Sequence, residues 1–131
     1  MSGEELTGAT YDTGALIAAD RNNRRMWALH RRILERGVSP TVPAGVLGQA
    51  WRGGPQHALS RLLVGCEVEN LSEAMARESG TLMGASNSGD LIDATVVVGA
   101  LARDDVVFTS DRSDIEALCA SSRKKLQVVE V

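Results

Sequence analysis

Residues 90–111 read DLIDATVVVGALARDDVVFTSD, and this stretch decides the fold class. Its first part, Asp90–Arg103, is apolar nearly all round, which predicts a buried helix. Val106–Phe108 follows and predicts a short buried strand. A buried helix that leads directly into a buried strand is typical of a parallel sheet covered by helices on both faces.

The rest of the chain repeats this alternation of short apolar runs and helix-periodic segments. Further strands are predicted over Ala9–Tyr11, Val38–Val42, Cys66–Val68 and Leu126–Val129. Further helices are predicted over Arg24–Arg36, from Pro43 to Ala50, over His57–Leu63, from the Ser72 cap to Met83, and from a capping box made by Ser113 and Glu116. We therefore expect a single domain over residues 1–131, with an α/β fold around a mostly parallel sheet of four to five strands.

The composition excludes several classes of protein. With 131 residues, the chain is long enough to bury a core without a disulfide or a structural metal. Aromatic residues make up 3% of the chain, which argues against the stacking platforms of most single-strand-binding modules. The net charge of −3 is not that of a general nucleic-acid binder, but a bound metal could offset the carboxylates of a nuclease.

The compartment is expected to be the cytoplasm. Cys66 and Cys119 stand alone in apolar surroundings, which is typical of reduced, buried thiols. The first ten residues, MSGEELTGAT, lack the basic and apolar regions of a signal peptide. The longest apolar stretch, Ala94–Ala102, is far shorter than the ~20 residues that a bilayer-spanning helix needs.

Aspartates follow the predicted strands and begin the predicted helices. Asp12 ends the first strand, and Asp111 lies just beyond the Val106–Phe108 strand. Asp90 and Asp93 share one face of the intervening helix, and Asp114 lies in the first turn of the last helix. Because ligands bind at the carboxyl ends of the strands in such sheets, we expect these carboxylates to meet at one edge.

Such a cluster needs a compensating charge, because neighbouring carboxylates raise each other's pKa. Mg²⁺ or Mn²⁺ suits an all-oxygen set without His or Cys, and it can activate water and polarise a phosphodiester. Each aspartate also has a simpler interpretation, as a turn residue or a helix cap. Asp93 is the hardest to explain in that way, because it lies in a segment that is otherwise destined for burial.

Three segments together resemble PIN domains, and most of all the VapC toxins of type II (VapBC) toxin–antitoxin pairs. They are Tyr11–Ala18, with the sequence YDTGALIA, Asp90–Ala94, with DLIDA, and Val107–Asp114, with VFTSDRSD. The resemblance spans nearly the whole chain. It implies a three-layer α/β/α fold, a metal-dependent ribonuclease that cuts structured RNA such as tRNA or rRNA, a homodimer, and a VapB-like antitoxin as partner.

By matched position, the resemblance implies that Asp12, Asp93 and Asp111 are catalytic metal ligands for Mg²⁺ or Mn²⁺, supported by Asp114. Asp90 is an additional acid that receives less weight. One position departs from the family pattern, because Gln49 stands where a Glu is common. The departure leaves open a catalytically weak PIN-like module that binds RNA or a protein.

Other interpretations of the same residues fail on placement. Asp12-Thr13-Gly14 matches the aspartic-protease signature, but that fold is all-β, whereas this chain has several helical segments. A phosphate-receiver domain needs a Lys after a late strand, and a haloacid-dehalogenase-like phosphatase needs a second Asp at the position of Gly14. We expect neither.

Several arginines are candidates for contacts with RNA. Arg52 and Arg112 lie close in sequence to Gln49 and Asp111, so either could hold a phosphate. The first long helix is basic and could contact an RNA backbone, although a solvated helix face explains it equally well. Trp27 and Trp51 are expected in the core or in a dimer interface.

Overall fold

A computed structural model describes residues 6–87 and 89–131 of the chain. The predicted domain boundary and the predicted lack of a signal peptide both include residues 1–5, which lie outside this range. Five strands are described: β1 (Ala9–Tyr11), β2 (Thr41–Pro43), β3 (Glu67–Glu69), β4 (Val106–Thr109) and β5 (Gln127–Glu130). The helices described are α1 (Thr13–Asp20), α2 (Arg24–Glu35), α3 (Ala44–Ala50), α4 (His57–Val64), α5 (Glu73–Ser86), α6 (Leu91–Arg103) and α7 (Arg112–Cys119).

The strands form one parallel sheet in the order β3-β2-β1-β4-β5. β1 lies at the centre, with Thr10 opposite Thr41 of β2 and Tyr11 opposite Phe108 of β4. Helix α1 packs against α2, α3 and α4, whereas α5, α6 and α7 pack against one another. Since α1 and α6 both contact β1 and β4, the two groups of helices cover the sheet from opposite faces. The predicted α/β/α arrangement is confirmed.

The core lies between these layers and is almost entirely aliphatic. Burying each large apolar side chain contributes about 1.5–3 kcal/mol. Helix α6 is buried nearly all round, as its sequence predicts, because Ala94–Val97 is buried and Gly99 and Ala100 are buried after it. The largest fully buried side chains include Tyr11, Leu16, Met26, Ile33, Leu59, Leu62, Phe108, Ile115 and Leu118.

Some element boundaries differ from the sequence prediction. The strand predicted over Val38–Val42 is only Thr41–Pro43, because the Val38 N–H bonds to the Ile33 carbonyl and closes α2. Pro43 ends that strand and precedes α3, so it is not the first residue of the helix. The cap of α7 is Asp111 and not Ser113, because the Asp111 carboxylate accepts the Asp114 N–H.

No helix within the described residues is both long and apolar enough to cross a membrane. Cys66 and Cys119 are both free and half-buried.

Candidate active site at the carboxyl ends of the strands

Three aspartates of the predicted site are helix caps. Asp12 caps α1 by accepting the Ala15 N–H at 2.9 Å, and Asp90 caps α6 by accepting the Asp93 N–H at 2.9 Å. Asp111 caps α7 through the Asp114 N–H at 3.3 Å. The positive ends of three helix dipoles therefore stabilise the carboxylates, and the simple capping interpretation and the site interpretation apply to the same side chains.

The register of the sheet brings Asp12 and Asp111 to the same edge. They follow Tyr11 and Phe108 closely, and those two residues face each other on neighbouring parallel strands. Thr109 connects them, because its hydroxyl donates to Asp12 Oδ2 and accepts the Asp111 N–H at 2.8 Å. Thr109 is fully buried, so this link is shielded from water.

Close packing around α1 depends on a glycine. A Cβ on Gly14 would stand 1.8 Å from Ser110 Oγ and 3.1 Å from the Ser110 backbone nitrogen. Since the backbone cannot easily yield, only glycine lets the start of α1 approach the loop after β4 so closely. This approach holds Asp12 beside the loop that contains Asp111.

Asp93 lies in the first turn of α6 and is half-buried. Burial, followed by the nearby charges of Asp90, Asp12, Asp114 and Asp111, raises the pKa of Asp93 to about 6. Asp93 is therefore within electrostatic reach of the other four predicted acids. No Lys, Arg or His forms a salt bridge with any of them within the described part of the chain.

The other carboxylates respond to their local hydrogen bonds. Burial raises the pKa of Asp12, although the bonds from Thr109 and Ala15 oppose the rise. Asp111 is exposed, and hydrogen bonds from the Asp114 backbone, the Asp114 carboxyl and Ser113 lower its pKa. The same contact with Asp111 raises the pKa of Asp114.

Gln49 is joined to the residue after Asp12. The Thr13 hydroxyl donates to Gln49 Oε1, which places this neutral side chain beside the start of α1. A Cβ on Gly45, one turn earlier in α3, would stand 2.4 Å from Ile92 Cδ1, so α3 also lies close to the start of α6. Gln49 therefore lies near the acidic edge, and its amide adds no charge to it.

The donor set fits Mg²⁺ or Mn²⁺ in its chemistry, because the predicted ligands are all carboxylate oxygens with uncompensated charge. In residues 6–87 and 89–131, however, no three His, Cys, Asp or Glu side chains form a ready-made ligand cluster. The chemistry of the donors therefore fits the ion, but their spacing does not form a complete ligand set. Mg²⁺ needs only one or two direct carboxylates, because it keeps several of its waters.

The two arginines predicted to contact substrate point elsewhere. Arg52 is exposed, and its guanidinium donates to the Trp51 carbonyl at 2.8 Å. Arg112 pairs with Glu116 at 2.7 Å along the exposed face of α7. Neither makes a hydrogen bond to the aspartates in the described residues.

Sequence reasoning did not identify Thr13 and Thr109 as parts of this site. Thr109 had one visible signal, since it is a polar residue at the end of the buried run VVFT. The predicted core position of Trp27 is partly correct, because its indole N–H donates to the Ala19 carbonyl at 3.0 Å while the ring stays half-buried. Trp51 is 42% exposed.

Solved structures share this fold. One chain of VapBC2 from Rickettsia felis, solved bound to a DNA fragment from the promoter, is 12% identical with a TM-score of 0.72; the match covers 94% of this chain and 98% of that one. A chain of a toxin–antitoxin complex from Klebsiella pneumoniae is 20% identical with a TM-score of 0.67, over 93% and 96% of the two chains. PAE2754 from Pyrobaculum aerophilum is 18% identical with a TM-score of 0.63, over 95% and 83%.

At these identities the likeness establishes the fold. The PIN-like fold expected from the sequence resemblance is confirmed. The sequence matches no family model, and no curated protein is significantly similar to it.

Proposed function

We propose that this chain, with the fold it shares with those structures, is a metal-dependent endoribonuclease. The observation that supports this most strongly is the link through Thr109 between Asp12 and Asp111 at the carboxyl ends of β1 and β4, where neither carboxylate forms a salt bridge with a described residue. Asp93, in the first turn of α6, lies within electrostatic reach of both. Asp114 supports the three, and Asp90 contributes less directly. The substrate bond is an RNA phosphodiester.

The proposed cofactor is Mg²⁺ or Mn²⁺, which would be held by Asp12, Asp93 and Asp111, directly or through water. When bound, such an ion activates water and stabilises the leaving oxygen of a phosphodiester. Thr109 and the Ala15 N–H fix the orientation of Asp12, so that this carboxylate is positioned before any ligand arrives. Asp111 is exposed and faces the solvent from which RNA would approach.

The biological role that we propose is that of the toxin in a toxin–antitoxin pair. Two of the structures that share this fold contain VapBC2 and a toxin–antitoxin complex. We therefore infer a VapB-like antitoxin as partner, a homodimer, a cytoplasmic location, and structured RNA such as tRNA or rRNA as the substrate.

One observation favours a second function. Because Gln49 accepts the Thr13 hydroxyl and lacks a charge, the acidic edge has one carboxylate fewer than the family pattern implies. The alternative is a catalytically weak PIN-like module that binds RNA or a protein without cutting it.

A cleavage assay separates these functions. The purified chain is incubated with total RNA and Mg²⁺ or Mn²⁺, with EDTA as one control. Asp12→Asn removes the charge but keeps a side-chain oxygen that can cap α1. Asp104→Asn is the matched control, since Asp104 lies at the other end of α6, pairs with Lys124 and has a left-handed backbone that Asn tolerates.

We expect discrete cuts from the parent chain and from Asp104→Asn, and none from Asp12→Asn or in EDTA. Cuts that persist in Asp12→Asn would contradict the site assignment. An intact parent chain that binds RNA and Mn²⁺ but produces no cuts would favour the binding module.

A further inference from the structure

A groove between α2 and α4 is lined by three arginines. It has a volume of about 510 Å³, and we call it the basic groove. Arg24, Arg31 and Arg61 are exposed along it, and no Asp or Glu belongs to its lining in the described part of the chain. The remaining lining residues are Asn22, Trp27, Ala28, His30 and Leu34.

The groove lies in the most basic part of the sequence. Residues 21–36 hold six of the 14 basic residues and only one of the 17 acidic residues, a net charge of +5. The rest of the chain has a net charge of −8. A positively charged segment in a negatively charged chain indicates a surface that binds an anionic partner.

The guanidinium groups of the groove are free to bind an anion. None of Arg24, Arg31 and Arg61 forms a salt bridge with a described residue. Arg61 instead lies over the Trp27 ring, 4.8 Å from its centroid. Because the Trp27 indole is anchored to the Ala19 carbonyl, this contact holds Arg61 in a defined position.

The basic surface is physically connected to the acidic edge. Arg25, next to Arg24, donates to the Glu130 carbonyl at 3.1 and 3.0 Å, and Glu130 pairs with Thr109 at the carboxyl end of the sheet. His30, on the groove lining, bonds to the Tyr11 hydroxyl at 2.7 Å. Tyr11 is the residue before Asp12, so the two surfaces share one framework.

We propose that the basic groove binds the phosphate backbone of the RNA whose cleavage is proposed at the acidic edge; the inference therefore rests on the proposed function. A planar guanidinium matches a phosphate with two parallel hydrogen bonds, and three guanidiniums without an acid between them suit a regularly charged polymer. Since Arg61 already covers the Trp27 ring, the groove recognises phosphate and not a stacked base.

The test measures binding with cleavage switched off. A fluorescently labelled RNA stem-loop is titrated with the chain in EDTA, and anisotropy gives the Kd over a series of KCl concentrations. The groove variant is Arg24→Gln, Arg31→Gln and Arg61→Gln together. The control variant, Arg77→Gln, Arg123→Gln and Lys125→Gln, removes the same charge from exposed positions elsewhere.

We expect the groove variant to bind about tenfold more weakly or worse, and its slope of log Kd against log salt to fall by about two. The control variant changes Kd less than about threefold, because it loses only long-range attraction that salt screens. Circular dichroism checks the fold. If the triple variant does not fold, Arg31→Gln alone still lowers the slope by about one.

Equal binding by the groove and control variants would overturn the proposal. A parallel titration uses labelled polyglutamate. The proposal would also be overturned if the groove variant bound RNA like the control variant but bound polyglutamate more weakly than the parent chain, since the groove would then suit an acidic peptide. The titration in EDTA measures RNA binding without the proposed metal-dependent cleavage. A failed nuclease assay and a failed groove are therefore distinguishable results.

Discussion

The two ends of the sheet differ in whether a cation pairs with their buried carboxylate. At the amino end of β4, Asp105 is 6% exposed and accepts both the Arg103 guanidinium at 2.8 Å and the Thr10 hydroxyl at 2.7 Å. At the carboxyl ends, Asp12 is 4% exposed and accepts hydrogen bonds, but it forms no salt bridge with residues 6–87 or 89–131. The burial is similar, and only the compensation differs.

The difference indicates which end of the sheet needs an external cation. Arg103 also pairs with Glu69, the last residue of β3, at 2.6 Å, so one guanidinium is shared by two carboxylates. Burial lowers the pKa of Arg103, but its hydrogen bonds to Asp105 and Glu69 outweigh this effect, so that the pKa lies above its usual value. At the carboxyl ends, none of the five predicted acids forms a salt bridge with a described residue, which favours a cation supplied from solution.

The largest change in stability should come from removing the cation that pairs with Asp105. Arg103→Gln leaves the buried Asp105 without its cation, and we expect it to lower the free energy of unfolding by about 3 kcal/mol. Urea denaturation measures this. The matched variant, Arg77→Gln, breaks the exposed pair with Glu73 and should cost under about 1 kcal/mol. Equal costs for the two variants would mean that the Arg103 pair compensates nothing.

A smaller change of opposite sign is expected at the acidic edge. The pKa of Asp93 is about 6 in the folded chain, above the ~3.9 of an unfolded aspartate. Between these values the folded state binds more protons, so the contribution of Asp93 to stability is complete below about pH 4 and is lost as pH rises to about 6. Asp93→Asn removes this loss.

We therefore expect Asp93→Asn in EDTA to be about 1 kcal/mol more stable than the parent at about pH 7, after allowance for solvent screening, and to differ little at about pH 4. Urea midpoints at the two pH values provide the measurement, with Asp104→Asn as control. A destabilised Asp93→Asn at neutral pH would show that the carboxylate is compensated after all.

The smallest effect concerns the neutral side chain at this edge. Gln49→Glu adds one carboxylate beside Thr13, and since metal affinity rises with ligand charge, Mn²⁺ should bind about threefold more tightly. Calorimetric titration measures the change, and Gln127→Glu, at an exposed position of β5, is the control. A large accompanying gain in RNA cleavage would mark the natural chain as impaired. Unchanged Mn²⁺ binding would place Gln49 outside the site.

Much of the fold could be predicted because local patterns agree with the tertiary structure. The buried helix α6 and the strand after it were both visible in residues 90–111. Helix α1 was not predicted, because TGALIAAD is apolar on all sides and has no helical period. Ser113 and Glu116 formed a capping pattern, but Asp111 caps the helix, since its N–H is already fixed by Thr109.

The site was only partly predictable for a related reason. The strand-end rule brought Asp12 and Asp111 together from a sequence pattern alone. The contacts of Thr109 and Thr13 depend on strand register and helix packing, which no local pattern encodes. The Arg103 network joins Glu69 to Arg103 across 34 positions, so it too appears only once the chain is folded.

The most direct test of the acidic edge is Mn²⁺ binding to the metal-free chain. Calorimetry and the electron paramagnetic resonance signal of free Mn²⁺ both measure this binding. We predict saturable binding by the parent and by Asp104→Asn, and a loss of about tenfold or more in Asp12→Asn and Asp93→Asn. Equal binding by all four chains, or none by the parent, would contradict a cation site at the carboxyl ends of the strands.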